Sequence, residues 1–207
     1  MPAPFIHLRA RSAYSLLQSA LQVKTLTKLA AKFEMPALGL TDSNNLFGAL
    51  EFSESAAGAG VQPIIGCALE VRGEGAGGLL ALLAQNDAGY ANLMQLSSAA
   101  FIDTVGQGEP HVSLERALAH TDGLIALTGA ADGPLAHLIE AGRIDEAEAL
   151  LRRMADAFPD RLYVELQRHG ARIEAETEGP LVDLAYKLSL PLVATNDVRF
   201  QAGKDHA

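Results

Sequence analysis

The stretch MPALGLTDSNNLFGALEF, Met35–Phe52, carries the organisation of the whole chain in miniature. An apolar run over Ala37–Leu40 has the length and composition of a buried strand. Asp42, Ser43, Asn44 and Asn45 follow it, residues suited to a loop. An amphipathic pattern over Gly48–Gly58 then predicts a helix. A strand, a polar cluster at its C-terminal end and a returning helix form the repeating unit of parallel α/β folds, in which ligands sit at that strand edge.

Outward from this unit the alternation recurs. Further strands are expected at Phe5–Arg9, Pro63–Val71, Leu79–Ala84, Gly123–Thr128, Leu162–Leu166 and Pro191–Ala194. Further helices are expected at Val23–Phe33, Tyr90–Phe101, Asp145–Ala157 and Glu174–Leu188. Strands that alternate with helices argue for a parallel sheet with crossover connections. Seven strand candidates could close as a small barrel; an open doubly wound sheet is the alternative. The Gly-rich patch Gly73–Gly78 lacks the Gly-Lys-Ser/Thr ending of a phosphate loop and is read as joining two strands. Thr104–Pro110 is read as a loop or insertion.

Composition bounds the function. The 207 residues suit one compact domain, taken as 1–207, and are 49% hydrophobic with 5% aromatics and no Trp. The core must therefore come mainly from Leu, Ala, Ile and Val. The net charge of −9 and the lack of a Lys/Arg run argue against a strong direct grip on DNA by this region. The single cysteine, Cys67, forbids an internal disulfide and reads as a small buried hydrophobe in a cytoplasmic setting. The longest apolar run, near Gly78–Ala84, is too short to span a membrane, and no signal peptide is evident.

Polar residues cluster after several strand candidates. His7 and Arg9 follow the first, and Asp42 with its neighbours the second. Glu165, Gln167 and His169 follow the sixth, and Asn196, Asp197 and Arg199 the last. These positions predict a cleft lined by Asp42, Glu165, His169 and Asn196. Hydrolytic metal clusters need several His and carboxylate ligands. Of the six histidines only His7 and His169 fall at strand ends; His111, His120 and His137 sit in loop or helix contexts, which leaves a metal cluster short of ligands.

Seven segments taken together are specific: HLRARSAYSLL (His7–Leu17), MPALGLTDSNNLFGALEF (Met35–Phe52), QPIIGCALEV (Gln62–Val71), LLAQNDAGYANLMQLSS (Leu82–Ser98), DGLIALTG (Asp122–Gly129), FPDRLYVELQRHG (Phe158–Gly170) and LPLVATNDVRF (Leu190–Phe200). In this order they resemble the PHP (polymerase and histidinol phosphatase) domain of bacterial DNA polymerase III alpha subunits, and the resemblance spans essentially the whole chain. It implies an α/β fold, a distorted seven-stranded βα barrel.

Metal-binding members of that family use about nine ligands, a number suited to multi-metal chemistry at a phosphoester. Carried over singly, the opening His-x-His becomes His7 and Arg9, and the next family histidine becomes Arg11. The acid of the Leu-Leu-Asp turn becomes Gln18. Thr-Asp-His keeps Asp42 but places Ser43 at the ligand histidine. The glutamate of Gly-Cys-Glu is Ala68, the histidine of the next strand Leu79, and the cysteine of Ser-Gly-Cys Ala130. Asn-Asp-x-His keeps Asp197 and replaces its histidine with Arg199. His7 and Asp197 alone remain, too few to hold a hydrolytic cluster. Arginine does not deprotonate, so Arg9 and Arg199 cannot be ligands. They are expected to replace the metal's charge, and Asp197 is expected to pair with Arg9 or Arg199. Asp42 is expected to cap the helix beginning near Leu46 or to bind loop amides, and His7 to be structural.

The resemblance implies a parent DNA-directed DNA polymerase, a nucleotidyltransferase whose catalytic carboxylates belong to a palm domain following Ala207. No catalytic residue, metal or other cofactor is expected in this region. It implies a scaffold that docks the proofreading exonuclease subunit and other replicase subunits and packs on the polymerase domains of its own chain. An active metal-dependent phosphoesterase or 3′-exonuclease, and a free-standing sugar-phosphate barrel enzyme, are the competing readings.

Overall fold

The computed structural model describes residues 5–73, 75–106 and 108–201. Seven helices are α1 (Val23–Lys32), α2 (Ala49–Gly58), α3 (Asp87–Ile102), α4 (Leu114–Ala119), α5 (Pro134–Glu140), α6 (Ile144–Ala157) and α7 (Arg172–Lys187). The strands are β1 (Ala37–Ser43), β2 (Gln62–Gly73), β3 (Ala76–Ala84), β4 (Val112–Ser113), β5 (Leu124–Leu127), β6 (Leu162–Leu166) and β7 (Leu192–Ala194). They form one curled sheet in the order β1-β2-β3-β5-β6-β7, with the short β4 beside β2.

The distorted βα barrel expected from the sequence is present, with two departures. The first concerns strand direction. β3 runs antiparallel to both β2 and β5, whereas β1–β2, β5–β6 and β6–β7 are parallel. The β2–β3 connection is a hairpin at Gly73–Ala76, in the Gly-rich patch that was expected to join two strands. So short a link cannot carry the crossover that a parallel pair requires.

The second departure is at the first expected strand. Phe5–Arg9 is extended but irregular, with a bend at Leu8 and one bridge beyond it, Ala10 to Val198. The carbonyl of His7 accepts from Gly39 N at 2.7 Å and that of Ala10 from Thr41 N at 2.8 Å. Three steps of this segment thus match two steps of β1, an extra residue that re-aims side chains as a bulge does. On its other side Arg11 N donates to Val198 O at 2.9 Å, and Val198 N to Arg9 O at 3.2 Å. The segment therefore links the first strand of the sheet to the chain just past the last and completes the curl. Gly39 permits this close passage: a Cβ there would lie 2.4 Å from the Leu8 carbonyl oxygen.

Helices cover the outside with one largely apolar stripe each turned inward. In α1 it is formed by Val23, Leu26, Thr27 and Ala30, and in α6 by Ala147, Leu150, Leu151 and Met154. Both follow the i, i+3, i+4, i+7 spacing of one helical face. The larger core joins β2, β3, β5 and β6 to α3, α5, α6 and α7 through residues such as Leu69, Leu80, Leu82, Leu93, Leu135 and Leu151. Each such side chain contributes roughly 1.5–3 kcal/mol on burial. A second core, including Leu26, Leu38, Leu40 and Phe52, lies between α1, α2 and β1. α4 and α5 were not foreseen; each is short, and α4 is started by Ser113, whose hydroxyl accepts from Arg116 N. Among the described residues no helix is long and apolar enough to cross a membrane.

Candidate functional site

The curl brings the ends of β1, β6 and β7 around the N-terminal segment, and five charged side chains meet at the centre. Arg9 is fully buried, and its Nη1 donates to Glu165 Oε1 at 3.2 Å and Oε2 at 3.4 Å. Glu165, also fully buried, accepts further from Gly129 N at 3.0 Å, from Gln167 Nε2 at 3.1 Å and from the Thr195 hydroxyl. With five hydrogen bonds from four donors the carboxylate is well satisfied, as a buried charge must be. Gly129 takes a left-handed φ of 88°, which lets its N–H reach the carboxylate where the chain passes Leu79.

Asp197 lies beside this pair and meets three arginines. Arg11 Nε donates to its Oδ1 at 2.9 Å, and Arg199 Nε to its Oδ2 at 2.8 Å. Arg9 Nη2 stands 3.7 Å from Oδ1, a charge contact without a hydrogen bond. Burial by itself would raise the Asp197 carboxyl, but Arg9, Arg11 and Arg199 outweigh it and hold the group below the usual carboxylate range. Burial also disfavours charge on Arg9; Glu165 and Asp197 reverse that and raise the guanidinium above its ordinary value.

Arg11 continues the network. Its Nη1 donates to Ser43 Oγ at 2.7 Å and to Gln18 Oε1, and the Ser43 hydroxyl donates to Gln18 at 2.5 Å. Three of the positions expected to have lost a family ligand, Arg11, Gln18 and Ser43, thus bond to one another. Ala68 pairs with Ser43 and Ala81 in the sheet interior, Leu79 is buried in β3, and Ala130 is buried at a positive φ of 47°. None of these three carries a donor atom on its side chain.

The structure separates other candidates. His7 does not join Asp197. It lines an apolar pocket of about 190 Å³ with Leu26, Phe33 and Val198, its ring edge-on to Phe5. The bend at Leu8 interrupts the strand alternation that would have set it beside Arg9. Asp42 is buried and caps no helix: α2 begins at Ala49 without a side-chain cap. Instead Asp42 accepts from Ser12 N and Ser12 Oγ at 2.7 Å and from Ser15 Oγ at 2.6 Å, so it binds the loop after Arg11. His169 lines the outer cleft, of about 470 Å³, with Gln167, Asp197 and Arg199, and is held by Glu174 at 2.9 Å. Asn196 is exposed. Ser12, Ser15, Gly129 and Thr195 were not singled out from the sequence; their partners lie 27 to 36 residues away, beyond any local pattern.

The donor set at the centre does not fit a hydrolytic metal cluster. Its nearest side chains are guanidiniums, which cannot ligate and which repel cations. Among the described residues no three His, Cys, Asp or Glu side chains group so as to hold a metal ion.

Fold and polar centre together define a small distorted βα-barrel domain. The chain belongs to the PHP domain family, whose profile matches residues 7–169. It is 52% identical over 204 residues to the DNA polymerase III subunit alpha of Caulobacter vibrioides and 40% identical over 210 residues to that of Pseudomonas fluorescens. These matches cover 95% and 100% of the chain but 18% of each relative's length. Among solved structures, a Bifidobacterium adolescentis protein described as a metal-dependent phosphoesterase shares the fold at a TM-score of 0.68 and 12% identity, covering 97% of this chain and 89% of that one. An amidohydrolase from Chromobacterium violaceum does so at 0.63 and 17%, with the same coverage.

Proposed function

We propose that this chain is the N-terminal PHP domain of a DNA polymerase III alpha subunit, acting in DNA replication in the cytoplasm as a non-catalytic scaffold that docks the proofreading exonuclease subunit. Its similarity to alpha subunits supports the replicative context. The observation that carries the non-catalytic reading is the buried Arg9–Glu165 pair beside the Arg11–Asp197 pair. Hydrolysis in such barrels relies on metal ions to generate a nucleophile and neutralise phosphoryl oxygens. Here fixed guanidiniums hold the charge of the centre and two carboxylates are consumed in pairing. The polymerase chemistry of the parent chain belongs to domains beyond this region.

Incubation with p-nitrophenyl phosphate and with 3′-labelled single-stranded DNA, in Zn²⁺ or Mn²⁺, tests this reading. No turnover above the metal blank is expected. Turnover that a chelator abolishes would establish the phosphoesterase reading instead. Titration with the exonuclease subunit is expected to show binding at micromolar concentration; none at high micromolar concentration contradicts the docking role.

A further inference from the structure

Five apolar side chains crowd one rim of the barrel. Leu16 is 78% exposed, Leu17 fully exposed, Phe47 68% and Leu50 72%, and Tyr14 lies between the two groups at 38%. The loop and the start of α2 are tied together: Asn45 Nδ2 donates to the Tyr14 carbonyl at 3.1 Å, and Tyr14 Oη to Glu51 at 3.2 Å. Solvated rims seldom expose leucines in a group; such patches mark contact surfaces.

The patch is also held in shape. Asp42 fixes Ser12 and Ser15 on one side of the leucines, and Arg11 and Ser43 fix Gln18 on the other. Leu17 sits at φ 63°, a conformation that costs a non-glycine residue free energy. A loop made rigid by buried polar groups, with a leucine held outward in an unfavourable backbone conformation, is preorganised for a contact.

The position of the patch indicates its occupant. Ser19, next to Gln18, donates through its hydroxyl to Arg199 O at 2.9 Å, and Ala20 N reaches the same carbonyl at 3.4 Å. Arg199 therefore lies beside the end of the leucine loop. The matched relatives carry this region as 18% of their length. We infer that the Tyr14, Leu16, Leu17, Phe47 and Leu50 surface is covered by the polymerase chain that continues past residue 207, as a permanent intrachain interface. This inference rests on the reading of the chain as the N-terminal part of an alpha subunit. Permanent interfaces are more apolar than transient ones, and none of these five residues is charged.

Hydroxyl-radical footprinting of the full-length polymerase and of the 207-residue chain tests it, with Tyr186 on α7 as an exposed internal reference. In the full-length protein the peptides holding Leu16–Leu17 and Phe47 should be modified roughly tenfold more slowly than in the short chain, with Tyr186 unchanged. Equal rates in a full-length protein that extends primers would overturn the inference while leaving the proposed function standing. Protection that appears only on adding the exonuclease subunit, or in a dimeric short chain, would overturn it in favour of that occupant. A full-length protein unable to extend primers removes the reading on which the inference rests. As a second measure, Leu17→Asp should leave the melting temperature of the short chain unchanged and lower that of the full-length protein; a fall in neither contradicts burial of Leu17.

Discussion

Arg11 and Asp197, 186 residues apart in sequence, are joined by an Nε–Oδ1 hydrogen bond of 2.9 Å that ties the N-terminal segment to the chain just past β7. With the Ala10–Val198 bridge it fastens the two ends of the curled sheet. The side-chain link and the backbone link lie within two residues of each other on both segments, so the charge network and the closure of the barrel are one feature.

Replacing Asp197 by Asn should therefore cost stability at neutral pH on the order of 3 kcal/mol, because three guanidiniums lose their shared counter-charge in a site little reached by water. The pH dependence has a definite sign. The folded-state Asp197 carboxyl lies below its ordinary value, so its contribution is present above the unfolded pKa, near about 4, and is lost as pH falls through the folded value. Urea unfolding from about pH 5 to pH 2 should show a steeper loss in the wild type than in the Asn variant. Parallel curves would remove Asp197 from the acid response.

The Arg9–Glu165 pair calls for a double-mutant cycle. Breaking a fully buried pair from one side strands the other charge, so Arg9→Met alone should destabilise by roughly 3–5 kcal/mol. Arg9→Met with Glu165→Leu should cost less than the sum of the two single changes, with a coupling on the order of 2 kcal/mol. Additive effects would mean that the two residues act independently despite their 3.2 Å contact.

Much of this was legible beforehand. The strand–helix alternation gave every long strand, because buried strands of Leu, Ala and Val between Gly- and Asp-bearing loops have few other readings. The first strand failed because its irregularity comes from pairing with β1, Gly39 to His7 and Thr41 to Ala10, a separation that no local pattern encodes. The same extra residue explains the partner of Arg9. Asp197 was expected to pair with Arg9 or Arg199 because the first and last strands are neighbours, and Arg199 does donate to it; the bulged segment turns Arg9 chiefly to Glu165 and brings Arg11 to Asp197 as well. Asp42 was expected to cap the following helix or to bind loop amides; it does not cap, but it accepts from the Ser12 amide, and the serine hydroxyls that it also binds come from the same loop 27 to 30 residues upstream.

Cys67 should be chemically silent in the folded protein. It is fully buried on β2, with its thiol donating weakly to the Asp42 carbonyl. Burial, then the Asp42 charge, pushes its pKa up to about 12. Titration with a disulfide reagent at pH 8 should find no reactive thiol until denaturant is added, since the thiolate is the nucleophile. Stoichiometric reaction of the native chain would show that β2 opens readily.

On the proposed reading, arginine–carboxylate pairs hold the charge at the centre of this barrel in place of metal ions. Elemental analysis of the purified chain, loaded with Zn²⁺ and Mn²⁺ and then dialysed, tests it most directly. Structural and catalytic zinc sites bind tightly enough to survive dialysis. Well under about one equivalent of either metal per chain should remain; one or more retained equivalents, lost on Asp197→Asn substitution, would mean that Asp197 holds a metal ion and not the arginines.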